Sequence, residues 1–295
     1  MAQPEDPIDI DPALNPELDH WSRRSLVKGM GLGAFATAFL GPGALQGKPE
    51  SLLGNADQTQ QMVKIPHDGL EMEAFMAKPK KPGRHGSVIV VHEIFGLNNH
   101  IKEIACRLAK AGYTGLAVNF FQRAGEIPDT SDFGKLRELI GKITDEQTMG
   151  DVRAAAKYLK KQDDSNGKAG IVGFCYGGNI SMLAAGKVKE IDAAVAYYGR
   201  VKGAPTPTKP ESPFDLADKF TAPVLGHFGA LDRAIPFADA VEMRDKAKAA
   251  GKVVEVYEYA DANHAFNNDT RPSYHPQSAA TAWKRTLEWY EKYLG

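Results

Sequence analysis

Hydrophobic and polar positions change register repeatedly along this chain, and each change predicts a new element. Met62-Val63-Lys64-Ile65 and Met72-Glu73-Ala74-Phe75-Met76 flank His67-Asp68-Gly69. Two apolar runs around an Asp-Gly pair predict a β-hairpin. Ser87-Val88-Ile89-Val90-Val91 shows no alternation. A continuous β-branched run of that kind suits a strand buried on both faces. Ile101, Ile104, Ala105 and Leu108 then recur at helical spacing, and the helix over 100–110 ends at Gly112. The alternation continues with a strand over 114–118, a long helix over 143–161 and a strand over 170–172. A short helix over 180–185 and strands over 193–197 and 224–228 come next. A helix over 237–250, a strand over 253–257 and a terminal helix over 279–293 complete the series. Strands alternating with helices predict an α/β domain, a mainly parallel sheet with helices on both faces, over residues 56–295. The proline-rich segment from Lys202 to Pro213 reads as a surface loop.

Residues 1–55 follow different rules. Met1 to His20 are acidic and proline-rich, with little to bury, and read as disordered. Ser22-Arg23-Arg24-Ser25-Leu26-Val27-Lys28 precedes an apolar, glycine-rich run from Gly29 to Leu45. This resembles a twin-arginine export signal, implying contact with an export machinery and a periplasmic destination. An uncleaved signal would tether the protein to the membrane. The other reading is an amphipathic helix or short anchor, because the run falls short of the roughly 20 apolar residues that spanning requires.

The strongest local chemistry lies at Gly173-Phe174-Cys175-Tyr176-Gly177, between a predicted strand and a predicted helix. Gly-x-Cys-x-Gly in that setting matches a nucleophile elbow, a turn sharp enough to strain its central residue. The competing reading is a buried structural cysteine. A cysteine nucleophile needs a base, and the base an orienting acid. Asp232 follows the strand over 224–228, and His264 follows the strand over 253–257. Nucleophile, acid and base thus come in the chain order that elbow hydrolases use. Asp261 and Asp269 are competing acids near the histidine, but neither follows a strand of its own. His227 lies inside a strand and reads as structural, while His92 and His100 flank the loop after the strand over 87–91. That loop also carries Glu93, which on the residues alone reads as a helix-start residue. The backbone N–H groups of Ile94 and Tyr176 would converge on a developing oxyanion.

Composition narrows the alternatives. A formal charge of −1 without a basic stripe argues against nucleic-acid binding. Two cysteines do not make a disulfide framework. Cys106 falls in a helical pattern as a small buried residue.

Together, Val91-His92-Glu93-Ile94-Phe95-Gly96, Gly173-Phe174-Cys175-Tyr176-Gly177-Gly178, Ala196-Tyr197-Tyr198-Gly199, the loop bearing Asp232 and Asn263-His264-Ala265-Phe266 resemble the dienelactone hydrolase (carboxymethylenebutenolidase) family. The resemblance implies an α/β-hydrolase fold, a small-molecule ester or lactone substrate and a Cys175-His264-Asp232 triad. It further implies a Glu93 that keeps Cys175 as a thiol until substrate arrives, and no metal or organic cofactor. Tyr197 and Tyr198 are candidates on the substrate side. The chain departs from the pattern at Asn268, where the dienelactone enzymes carry a carboxylate-binding arginine; Arg271 is nearby. Arg123 and Arg137 are the candidates for a second such arginine. Two other functions stay open on the residues alone: a non-catalytic binding protein on a hydrolase scaffold, and a thiol redox protein needing Cys106 as resolving partner.

Overall fold

The apolar runs form the strands of a single sheet, β1 (Gln58–His67), β2 (Leu70–Pro79), β3 (His85–Val91), β4 (Thr114–Val118), β5 (Ser165–Phe174), β6 (Ala193–Tyr197), β7 (Val224–Gly229) and β8 (Val254–Tyr259). The structure, a computed structural model, describes residues 50–295. The acidic segment and the export signal expected at the N-terminus lie outside the described residues.

The strands lie side by side in the order β1-β2-β4-β3-β5-β6-β7-β8. β2 is antiparallel to both neighbours, and every pair from β4 across to β8 is parallel. At the β1–β2 turn Asp68 and Gly69 take φ values of 48° and 73°, the two positive angles of a type I′ turn. Among the described residues seven α-helices accompany the sheet: α1 (Asn99–Lys110), α2 (Phe133–Lys142), α3 (Asp145–Lys160), α4 (Tyr176–Lys187), α5 (Pro213–Leu216), α6 (Phe237–Ala249) and α7 (Pro276–Leu294). Successive strand residues feed opposite cores, as a period of two requires. Ile89, Val91 and Ile171 join the core under α3, α4 and α6. Val88, Val90 and Val172 join the core under α1 and α7. The fold is α/β-hydrolase, mainly parallel and covered on both faces.

Several elements differ from the sequence pattern. α2 was not expected; Gly134 and Gly141 dilute its propensity. Its Asp132 N-cap accepts from Lys135 N, and Leu136 and Leu139 are buried on one side. With Phe121 and Ile143, Leu139 forms a small cluster separate from the two main cores. The helix expected from 143 starts at Asp145, because Thr144 and Gln147 form a capping box there. α4 starts at Tyr176 rather than near 180, directly off the elbow. The loop over 202–213 carries one isolated bridge, Thr206 to Lys209.

The topology also locates a crevice. From β3 the chain turns outward to β4, whereas from β5 it turns the other way to β6. The connections after the adjacent strands β3 and β5 therefore diverge beyond their carboxyl ends, where open α/β sheets bind ligands. Parallel register keeps those ends level: Val91 pairs with Gly173, Phe174 with Tyr197, and Tyr197 with His227.

Candidate active site

Cys175 sits at the apex between β5 and α4 with φ 54° and ψ −110°, a conformation that costs a non-glycine residue energy. Its N–H donates to the Tyr197 carbonyl at 3.0 Å, tying the turn to the end of β6. A Cβ on Gly173 would stand 1.9 Å from the Gly177 carbonyl oxygen, and one on Gly177 would stand 2.3 Å from that of Val91. The turn closes only because both positions lack a side chain. The thiol is partly exposed, unlike that of Cys106, which is buried on α1. Burial, reinforced by the charge of Glu103, pushes the Cys106 thiol up to about 12. This leaves it a poor resolving partner for disulfide exchange.

His264 lies on the loop after β8, and its Nδ1 is 2.6 Å from Asp232 Oδ2. The other Asp232 oxygen accepts from the N–H groups of Ala234 and Ile235 at 2.9 and 3.1 Å, fixing the carboxylate. Cys175, at the elbow apex, bears on the same imidazole. Burial alone would lower the His264 pKa. The hydrogen bond to Asp232, then Cys175 and the charges of both, outweigh burial and raise it to about 10. The competing acids are placed elsewhere. Asp269 bonds Arg107 at 2.9 Å and His100 at 3.1 Å, and Asp261 is exposed.

Glu93 is 2 % exposed in the loop after β3, and its Oε2 accepts a 2.7 Å hydrogen bond from Asn268 Nδ2. Asn268 is oriented in turn by Thr270, whose N–H and hydroxyl both donate to its Oδ1. His92 fixes the loop's start. Its Nε2 accepts from Phe120 N at 3.1 Å, so Nδ1 carries the proton and donates to the Glu93 carbonyl at 2.7 Å. Burial holds this imidazole down at about 4, hence neutral. Both nitrogens are committed to backbone, leaving none for a substrate. Ile94 follows in the same loop. Tyr176 is the first residue of α4, where an N–H has no intrahelical acceptor.

The two tyrosines of the β6 end separate. Tyr197 is fully buried, its hydroxyl 2.7 Å from Thr286 Oγ1 and its ring packed between Phe174 and His227. His227 completes that network with Thr286 and Tyr259, and burial lowers its pKa to about 3. Tyr198 has φ 41°, and its ring centroid is 5.1 Å from that of His264. Its hydroxyl is buried without a hydrogen-bond partner.

The arginines proposed from the sequence scatter. Arg123 is bound to Asp151 at 2.9 Å and to the His67 carbonyl at 3.0 Å, beside the β1–β2 hairpin. Arg137 is exposed on α2. Arg271 lies flat on Phe95, 4.0 Å from guanidinium carbon to ring centroid. Phe95 also meets Phe133 edge-on at 6.3 Å. Phe133 is 50 % exposed, and sequence reasoning passed it over. Leu136, Leu139 and Ile140 behind the Asp132 cap were the signal for the helix that carries it. Among the described residues no group of His, Cys, Asp or Glu is arranged to hold a metal ion.

An elbow, an acid and a histidine at the carboxyl ends of a sheet in this strand order define an α/β-hydrolase. Residues 72–294 match the dienelactone hydrolase family, and the chain belongs to it. A protein of Escherichia coli O157:H7, provisionally named a carboxymethylenebutenolidase, is 40 % identical over 233 residues, covering 78 % of this chain and 86 % of that protein. The crystal structure of a provisionally assigned dienelactone hydrolase from Klebsiella pneumoniae is similar with a TM-score of 0.77 and 37 % identity, over 80 % of this chain and 99 % of that one. A dienelactone hydrolase-like promiscuous phosphotriesterase from metagenomic libraries shares the fold at 22 % identity, with a TM-score of 0.68 over 81 % of this chain and 100 % of that one. The protein is a hydrolase of the dienelactone hydrolase type.

Proposed function

We propose that the protein hydrolyses lactones or small carboxylic esters through an acyl-cysteine intermediate on Cys175. The observation that carries this reading is the His264 imidazole, held by Asp232 at 2.6 Å, with the cysteine at the elbow apex bearing on the same ring. The butenolide in the name of the Escherichia coli relative is itself a lactone, which supports the substrate class.

In the first half-reaction the Cys175 sulfur attacks the acyl carbon and His264 holds the thiol proton. The carbonyl electrons move onto oxygen, where the N–H groups of Ile94 and Tyr176 receive the charge. Collapse breaks the carbon–oxygen bond, and the proton on His264 passes to the leaving alkoxide. In the second half-reaction His264 takes a proton from water, hydroxide attacks the thioester, and the proton returns to sulfur as the acid departs. Asp232 holds the ring orientation and stabilises the imidazolium. Glu93 acts on the thiol before substrate arrives. The paired arginines Arg23 and Arg24 support export to the periplasm, and residues 56–295 act as the catalytic domain.

The test is turnover and trapping. The mature protein should hydrolyse a panel of lactones and p-nitrophenyl esters, and rapid acid quench should yield a peptide carrying the acyl group on Cys175. Cys175→Ala should lose at least roughly 10³-fold in kcat, while Cys175→Ser should keep a small residue of activity through His264. Full activity in Cys175→Ala would overturn the cysteine mechanism.

A further inference from the structure

Of the two buried carboxylates bearing on this site, Asp232 is paired with the His264 imidazole and Glu93 is paired with no cation among the described residues. Glu93 is buried, and the group bound to it is the neutral amide of Asn268 at 2.7 Å. Asn268 is 1 % exposed and cannot turn away, because Thr270 donates twice to its oxygen and leaves the amide nitrogen facing Glu93. No ion pair neutralises Glu93 among the described residues. The basic groups that reach the Asn268 segment are spent elsewhere. Arg107 and His100 bind Asp269, and Arg271 is stacked on Phe95 and partly exposed to solvent. The second carboxylate, Asp232, is bound by His264. Tyr198 lies within reach of both groups: burial first, then Glu93 and Cys175, push its hydroxyl well above its ordinary pKa.

A substrate whose acyl part carries a carboxylate would bring a like charge toward Glu93, which is itself buried. Two unit charges a few ångströms apart repel strongly at the effective dielectric of such a site, and a partly exposed arginine at the rim is screened by solvent. We infer that this site selects uncharged acyl groups, with Glu93, fixed by Asn268, as the specificity-determining residue. The inference rests on the hydrolase reading above and narrows it. A lactone bearing a carboxymethylene group, as the relative's name describes, is then a poor substrate for this chain.

The experiment compares mono-p-nitrophenyl glutarate with its methyl ester, two molecules that differ in one negative charge at the acyl end. Rates are taken at neutral pH and corrected for spontaneous hydrolysis. The wild-type protein should favour the methyl ester by at least tenfold in kcat/KM. Glu93→Gln should slow both substrates but shrink that ratio by threefold or more, whereas Arg271→Ala should leave the ratio within twofold. Equal or faster turnover of the free acid by the wild type overturns the inference. So does an unchanged ratio in Glu93→Gln, or a selective loss of acid turnover in Arg271→Ala that would make the rim arginine an anchor. Failure of the hydrolase reading looks different: neither ester is turned over in a Cys175-dependent way, and both proposals fall together.

Discussion

Asp232 reaches His264 from the neighbouring strand's loop with 2.6 Å between carboxylate oxygen and Nδ1, and it does so while two backbone N–H groups hold its other oxygen. The aspartate is thus fixed before the histidine arrives. The imidazole ring is oriented by a group that cannot rotate away.

A pH signature follows from the same contact. The folded-state pKa of His264 is raised from an ordinary 6.5 to about 10. A raised pKa means that the folded state holds the proton more tightly than the unfolded chain. The stabilisation is therefore fully present below about pH 6.5 and is lost as pH rises through about 10. The stability advantage of wild type over His264→Gln, measured by urea unfolding, should shrink across that interval. A constant difference from pH 6 to 10 would show that the histidine's proton is not coupled to folding.

Glu93 should govern how reactive the cysteine is at rest. Its carboxylate and a Cys175 thiolate repel each other, and Glu93→Gln removes the charge while keeping the shape. Iodoacetamide should therefore modify Cys175 several-fold faster at neutral pH in the variant, while ester turnover falls. Identical alkylation rates in the two proteins would reduce Glu93 to a support for its loop.

Tyr197 is expected to act on stability alone, although its motif marked it as a substrate residue. Its hydroxyl is spent on Thr286 inside the network that also holds His227 and Tyr259. Tyr197→Phe should cost about 1 kcal/mol in denaturant unfolding and leave kcat/KM within twofold. A large rise in KM without loss of stability would return Tyr197 to the substrate site.

Export is tested by Arg23→Lys combined with Arg24→Lys, since the arginine pair is the recognised feature of such signals. The double variant should accumulate in the cytoplasm, as judged by fractionation. Periplasmic levels equal to wild type would dismiss the twin-arginine reading.

Much of this was legible in the residues. Continuous β-branched runs such as 87–91 have one good use, a strand covered on both faces, so the parallel sheet could be read from its centre outward. The elbow was readable because only glycine tolerates the contacts at positions 173 and 177. Less legible were features decided by packing at a distance. α2 rests on two buried residues, Leu136 and Leu139, and two glycines dilute its signal, so its strength comes from contacts with Phe121 and Ile143 rather than from its own pattern. Arg123 reads as a free cation in sequence, yet Asp151, 28 residues further on, claims it. Asn268 reads as a lost arginine; only the fold shows it holding Glu93.

Because the chain leaves β3 and β5 in opposite directions, no connection crosses the gap between them. Segments that contribute nothing to the pairing of the central strands reach the loops there: Phe133 of α2 meets Phe95, and Lys209 of the 202–213 loop lies over the Tyr176 ring. Insertions or exchanges there can reshape what enters without disturbing the level strand ends that hold the reacting groups.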